Sequence, residues 1–136
     1  MSRVDDVAAG VREAFERVHR EQFLGDRAAN PQLTVDVIDA ALVEDTPAVV
    51  LITPWTINGL AFPPDDEFPE ELELAGRRRP VFRVDMARLG AFRSVNLPVE
   101  AASLRSMDQA RTLAHSWAGH FHDAVRAVRQ AAAAAS

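Results

Sequence analysis

Apolar side chains recur every three or four positions near the start of the chain, which is the spacing of one helix face. Val4, Val7 and Val11 belong to this series, and Ser2 is placed to cap the first turn. The pattern predicts an N-terminal amphipathic helix within residues 1–25.

The same spacing returns in residues 106–130, where Ser106 and Gln109 form the sequence of a capping box. The apolar positions of this segment are Ala110, Leu113, Ala114, Trp117, Phe121, Val125 and Val128. They predict a second amphipathic helix, and the alanines at 131–135 are expected to fray.

Residues 33–97 show the patterns of β-strands. Leu33 to Leu42 alternates β-branched residues with aspartates, which predicts a half-exposed strand before a turn at residues 44–47. Ala48 to Thr53 is apolar throughout and predicts a strand buried on both faces, at the centre of the sheet. Further strands are predicted at Ile57 to Phe62, Val81 to Val84 and Ala91 to Leu97.

Residues 63–79 have neither pattern and predict one long, irregular acidic loop. The order of helix, four or five strands and helix predicts a single α+β domain over residues 1–136. Its sheet is expected to be mostly antiparallel, with the N- and C-terminal helices packed on one face.

Composition narrows the function classes. The chain has 136 residues, and its 20 acids against 15 bases give a net charge of −5, which disfavours nucleic acid as a partner. Cysteine is absent, which excludes zinc ribbons, iron–sulfur ligation and thiol catalysis. No apolar run approaches the ~18 residues of a membrane helix. We therefore expect a cytoplasmic protein with no membrane insertion and no cofactor.

Three histidines near the C-terminus invite a metal interpretation. His115 and His122 share a helix face but stand about 10.5 Å apart along the axis, and His120 points elsewhere. No metal site and no catalytic residue are therefore predicted. One alternative stays open, a ligand-binding or enzymatic domain with a pocket beside the C-terminal helix that uses His115 or His122. Another is a permanent structural subunit of a larger complex.

Apolar residues cluster next to the acidic segment, at Trp55, Ile57, Leu60, Phe62 and Phe68. Either they cap the core, or some stay exposed as an apolar patch with an acidic rim. The second arrangement would suit a peptide with hydrophobic and basic segments.

This region also carries a family resemblance. The segment Leu51-Ile52-Thr53-Pro54-Trp55, with Ile57-Asn58, Leu60 and Phe62-Pro63 after it, resembles V-L-x-T-P-W-x-x-N-L-x-x-x-P of the HybE-type assembly chaperones of [NiFe]-hydrogenases. Weaker similarities lie at Asn30-Pro31-Gln32-Leu33, at Gly90, Phe92, Ser94 and Leu97, and at Asp108-Gln109-Ala110 with Arg111. The resemblance runs from about Phe15 to Ala127.

The resemblance implies a non-enzymatic chaperone that holds a small or large hydrogenase subunit precursor, together with other maturation proteins, during cofactor insertion. In some relatives this role is linked to twin-arginine export. Our hypothesis is that the apolar cluster contacts the client and that the acidic segment adds complementary charge. The predicted client-binding residues are Trp55, Ile57, Asn58, Leu60, Phe62, Asp65, Asp66, Glu67, Glu70 and Glu71.

Overall fold

The computed structural model describes residues 2–23 and 25–135, the side chain of Phe23 excepted, so Met1, Leu24 and Ser136 of the predicted segments lie outside the described residues. One long helix precedes the strands in the chain and another follows them, as predicted. The elements are α1 (Arg3–Val18) with a π-helical turn (His19–Phe23), β1 (Asp36–Val43), β2 (Thr46–Ile52), β3 (Ile57–Ala61), β4 (Glu71–Leu74), β5 (Arg77–Pro80), β6 (Phe82–Met86), β7 (Gly90–Asn96), a 3₁₀ turn (Ala101–Ser103) and α2 (Met107–Ala135).

Both predicted helix starts are confirmed by hydrogen bonds. The hydroxyl of Ser2 accepts from the Asp5 amide, and that of Ser106 accepts from the Gln109 amide at 3.1 Å. These bonds satisfy amides that have no partner within the helix. At its other end α2 does not stop at residue 130 but continues through the alanines to Ala135.

Five strands form an antiparallel sheet in the order β1-β2-β3-β7-β6, which confirms the α+β class. β2 is buried at every position, as predicted, but the middle strand is β3. The boundaries also shift, because β1 starts at Asp36 and the turn consists of residues 44 and 45, so that Thr46 and Pro47 belong to β2.

The helices lie on opposite faces of this sheet, so the prediction that they share one face is wrong. Along β2, Val50 and Ile52 belong to the cluster that α2 covers. Val49 and Leu51 belong to a second cluster with Val11 of α1. Since successive side chains of a strand point to opposite faces, a strand that is apolar throughout needs a cover on each side.

α2 approaches the sheet closely at Gly59 of β3. A Cβ built at Gly59 would lie 2.6 Å from the ring of Phe121, far inside van der Waals contact. The absence of a side chain at Gly59 therefore lets the Phe121 ring pack directly on the strand.

The predicted irregular loop at residues 63–79 contains a β-hairpin, so that prediction is wrong for its second half. β4 pairs with β5 through a two-residue turn, Ala75-Gly76, where both residues have positive φ (50° and 81°). Such a turn suits a tight hairpin. Leu72 and Leu74 are 2% exposed, so the alternation of glutamate and leucine is that of a short half-buried strand.

Candidate functional site

The link between β2 and β3 is a compact turn formed by residues 53–56, here called the Trp55 turn. The Thr53 hydroxyl donates to the Thr56 carbonyl at 2.8 Å and accepts from the Thr56 amide at 2.9 Å. The Thr53 amide also donates to the Thr56 carbonyl. These local bonds, together with one from the Trp55 amide to the Thr53 hydroxyl, fix the backbone of the turn that carries Trp55 at its apex.

Asn30 attaches a second loop to this turn. Its backbone amide donates to the Pro54 carbonyl at 2.7 Å. Its side-chain amide donates to the backbone carbonyls of Ala101 and Leu104 at 2.8 Å each. Asn30 is buried, and its backbone and side chain together link this loop to the Trp55 turn and to residues 101–104. The two resembling motifs, Asn30-Pro31 and Thr53-Pro54-Trp55, are thus joined by a backbone hydrogen bond.

Trp55 is half-buried and lies against the end of the first helical segment. The rings of Trp55 and His19 are 5.9 Å apart between centroids and tilted by 49°. His19 also lines a cleft of about 580 Å³, here called the His19 cleft. Its other lining residues are Gly25, Asp26, Arg27, Ala29, Asn30, Pro31, Leu33 and Thr34. An aromatic side chain on a rigid turn beside a cleft is suited to protein contact.

The structure does not place the other predicted apolar contacts on this surface. Ile57, Leu60 and Phe62 are 0%, 1% and 6% exposed, so they do not belong to an exposed apolar patch. Ile57 packs in the α2-side cluster, whereas Leu60 and Phe62 pack in the α1-side cluster. The strand alternation of β3 explains this separation, and the alternative that these residues complete the core is correct.

Asn58 is half-buried and already bonded on both sides. The oxygen of its side-chain amide accepts from the Thr56 hydroxyl at 2.9 Å, and the nitrogen of the same group donates to the Ser94 hydroxyl at 3.0 Å. Asn58 therefore supports the Trp55 turn from β3 and couples it to β7.

The acidic segment, residues 65–73, is bound at its start by an ion-pair network that sequence analysis missed. This network is here called the Arg129 clamp. The Arg129 side chain is 2% exposed and forms two bonds with the Asp45 carboxylate, both 2.9 Å, and two with the Asp65 carboxylate, both 3.0 Å. It also donates to the Glu67 carbonyl at 2.7 Å. The clamp fastens α2 to the β1–β2 turn and to the acidic segment.

Electrostatics in the clamp favour the charged forms of all three groups. Hydrogen bonds from Arg129 hold the pKa of the Asp45 carboxyl far below its usual range and also lower the pKa of Asp65. The two carboxylates raise the pKa of Arg129. Both carboxylates pair with Arg129, so the fold itself compensates one of their two negative charges.

The remaining acids of the predicted site are exposed. Asp66 pairs with Arg83 at 3.0 Å and lies 3.5 Å from the buried Arg93, and Glu71 lies 3.6 Å from Arg78. Glu67 and Glu70 are also exposed. Part of the acidic charge is thus balanced by the chain's own arginines.

The Trp55 turn and the Arg129 clamp lie at opposite ends of β2. The clamp holds the turn that precedes Thr46, whereas the Trp55 turn follows Ile52. Seven strand residues separate the ends by about 20 Å at ~3.3 Å per residue. The structure therefore does not unite Trp55 and Asp65 in one surface.

Two of the three α2 histidines, His115 and His122, have different surroundings. His115 lies 2.7 Å from the carboxylate of Asp39, a positive-φ residue where the pairing of β1 with β2 shifts. Burial lowers the pKa of His122. Within residues 2–23 and 25–135, no group of three metal-ligating side chains is found. Two cavities beside α2 are lined by its residues 124–133 and not by His115 or His122.

A sequence signal for Arg129 was available. It stands four residues after Val125 and eight after Phe121, on the buried face of α2. A charged residue in register with an apolar stripe requires a partner. Its partners are 84 and 64 residues away in sequence, and nothing in the sequence identified them.

Comparisons with known proteins agree with the resemblance described above. A family model described as "[NiFe]-hydrogenase assembly, chaperone, HybE" matches residues 6–136. The solution structure of HybE from Escherichia coli matches with a TM-score of 0.63 and 23% identity, over 86% of this chain and 77% of that chain. No curated protein matches the chain. In the part of the chain that the structure describes, no helix is long and apolar enough to span a membrane.

Proposed function

The chain belongs to the HybE family of [NiFe]-hydrogenase assembly chaperones, and we propose that it acts by binding a hydrogenase subunit precursor, without catalysis, before cofactor insertion or export. The Trp55 turn is the contact that we assign to this client. The observation that carries the assignment is a half-buried tryptophan held at the apex of a hydrogen-bonded turn beside the His19 cleft.

Physical reasons favour Trp55 as an anchor. Tryptophan provides a large contact area and is enriched among the residues that dominate binding energy. The Thr53 bonds fix the turn before a partner arrives, so little conformational entropy is lost on binding. Asn58 strengthens this preorganisation from β3. We propose Trp55 as the direct contact and Asn58 as a support.

Exposed acids provide a weaker electrostatic contribution. Glu67 and Glu70 would attract a client with basic residues and mainly speed its association. A twin-arginine signal segment on a subunit precursor has this chemistry, and the encounter would take place in the cytoplasm. Small and large subunits and other maturation proteins are the candidate partners.

Affinity co-purification from a host that expresses hydrogenase, followed by mass spectrometry, tests the client assignment. We expect unprocessed subunit precursors with the wild-type protein. A precursor lacking its export signal, compared with the intact one, tests whether the signal segment is recognised. Stable recovery of mature, metal-loaded enzyme instead would identify a permanent structural subunit and contradict the proposal.

The chain offers a matched control for the contact itself, since it has two tryptophans. Trp55→Ala is expected to weaken binding of the recovered precursor at least tenfold. Trp117→Ala, on a half-buried residue of α2, is expected to change it less than twofold. Circular dichroism verifies that both variants fold. Equal losses in the two variants would refute the assignment of Trp55 as the contact.

A further inference from the structure

Among the residues that the structure describes, no strand lies beside the outer edge of β4 in the β4–β5 hairpin. At one end of the hairpin, the Val81 amide donates to the Glu70 carbonyl at 2.8 Å. At the other end, Leu74 and Arg77 are the paired residues that flank the turn. Hydrogen-bonded pairs alternate along an antiparallel ladder, so Leu72 and Leu74 bond to β5. The backbone amides and carbonyls of Glu71 and Glu73 therefore point to the opposite, open side of β4.

This open edge borders a groove against the C-terminal half of α2, here called the β4 groove. Its volume is about 410 Å³. Its lining residues are Pro69, Glu71, Leu72, Glu73, Ala124, Ala127, Val128 and Ala131. The α2 wall consists of alanines and one valine, and the two charged residues that line the groove are both acidic.

The dimensions fit an extended peptide. Residues 124–131 of α2 extend for about 10.5 Å at 1.5 Å per residue, and the four residues of a strand such as β4 span about 10 Å at ~3.3 Å per residue. The small side chains of Ala124, Ala127 and Ala131 leave space beside β4 for another backbone. The groove thus combines unpaired strand groups with a shallow apolar wall.

We propose that the open edge of β4 accepts an extended segment of a partner protein in which apolar side chains alternate with arginine or lysine. The segment adds a third strand to β4 and β5. Its apolar side chains pack on Ala127 and Val128, and its basic side chains lie beside Glu71 and Glu73. Opposite charges on neighbouring strands stabilise this register.

Charge argues against a second copy of the chain as the occupant. If two β4 strands paired with each other, Glu71 and Glu73 of one copy would lie beside the same residues of the other. Like charges in that arrangement are destabilising. A basic partner segment removes this repulsion, which is why we commit to it.

The inference goes beyond the proposed function, because the β4 groove shares no lining residue with the Trp55 turn or the His19 cleft. A synthetic peptide of alternating arginine and valine serves as the probe, with the full chain isotopically labelled for NMR. On binding, we expect the amide hydrogens of Glu71 and Glu73 to exchange at least tenfold more slowly. Those of Leu72 and Leu74 already bond to β5 and should change little.

Two matched comparisons make the test specific. Glu71→Arg with Glu73→Arg should weaken peptide binding at least tenfold, whereas the equal charge change Glu13→Arg with Glu21→Arg should not. A peptide N-methylated at every second residue keeps its charge but loses strand pairing, so it should not bind. Binding of the methylated peptide, or unchanged exchange at Glu71 and Glu73, would overturn strand addition.

The two proposals fail separately. If the peptide does not bind while the precursor still binds in a Trp55-dependent manner, the β4 groove assignment is wrong and the proposed function stands. If the peptide protects Glu71 and Glu73 but Trp55→Ala leaves precursor binding unchanged, the Trp55 contact is wrong and the groove assignment stands.

Discussion

The Trp55 turn and the Arg129 clamp close opposite ends of β2 by different physical means. Bonds at the turn are mostly local, between Thr53 and residues two or three positions later. Bonds at the clamp join residues 84 and 64 positions apart, through a charged side chain that is 2% exposed. A locally closed turn can present a side chain for contact, whereas the clamp uses its charge to hold segments together.

Removing the clamp is expected to have the largest effect on stability. Arg129→Ala removes five charge-assisted bonds and is expected to lower the free energy of unfolding by about 3 kcal/mol. The carboxylates of Asp45 and Asp65 are half-exposed, so water limits the loss. Urea denaturation measures it.

Two variants control for charge and position. Arg129→Lys keeps the positive charge but not the planar guanidinium, and its free energy of unfolding should decrease roughly half as much as that of Arg129→Ala. Arg126→Ala, whose ion pair with Asp123 is exposed, should cost less than about 0.5 kcal/mol. An Arg126→Ala loss as large as that of Arg129→Ala would contradict a special role of the clamp.

The packing of α2 between the two ends is the next target. Gly59→Ala inserts a methyl group 2.6 Å from the Phe121 ring and is expected to lower the free energy of unfolding by about 2 kcal/mol. Gly119→Ala on the exposed face of α2 meets nothing within 4 Å and should instead raise it by about 0.5–1 kcal/mol. Thermal unfolding of both variants checks the opposite signs.

At the other end, Trp55→Ala should have a smaller effect on stability. The side chain is half-buried, and the Thr53 bonds that close the turn do not use the indole. We expect a decrease in the free energy of unfolding of about 1 kcal/mol, measured by urea denaturation. A loss equal to that of Arg129→Ala would show that Trp55 serves the fold rather than a client.

The pH dependence of stability separates the clamp from the middle of α2. Burial lowers the pKa of His122 from its ordinary 6.5, so the unfolded chain binds more protons there and stability falls as pH decreases below 6.5. Arg129 lowers the pKa of Asp45 from 3.8, so stability from the clamp is present above 3.8 and is lost below it.

Two variants assign these pH ranges. His122→Asn should flatten the profile just below pH 6.5, and Arg129→Ala should flatten it below pH 3.8. Denaturation midpoints measured from pH 2 to pH 7 check both expectations. Unchanged slopes in the respective ranges would contradict these assignments.

Particular residues show how far the sequence was informative. Ser2 and Ser106 predicted the helix starts, because capping depends on neighbours within one turn. The apolar run at Ala48 predicted the buried strand, yet not that α1 and α2 cover different faces. The hairpin at Glu71 was missed because a four-residue strand of alternating glutamate and leucine resembles a charged loop.

The sequence by itself determined the two helices, most strands of the sheet and the family resemblance around Trp55. These features depend on periodicity and on residues adjacent along the chain. The tertiary structure alone decided that Leu60 and Phe62 are core, that Asp65 is paired with Arg129, and that β4 has an open edge beside α2. Such contacts join residues tens of positions apart, and the path of the folded chain, rather than local pattern, brings them together.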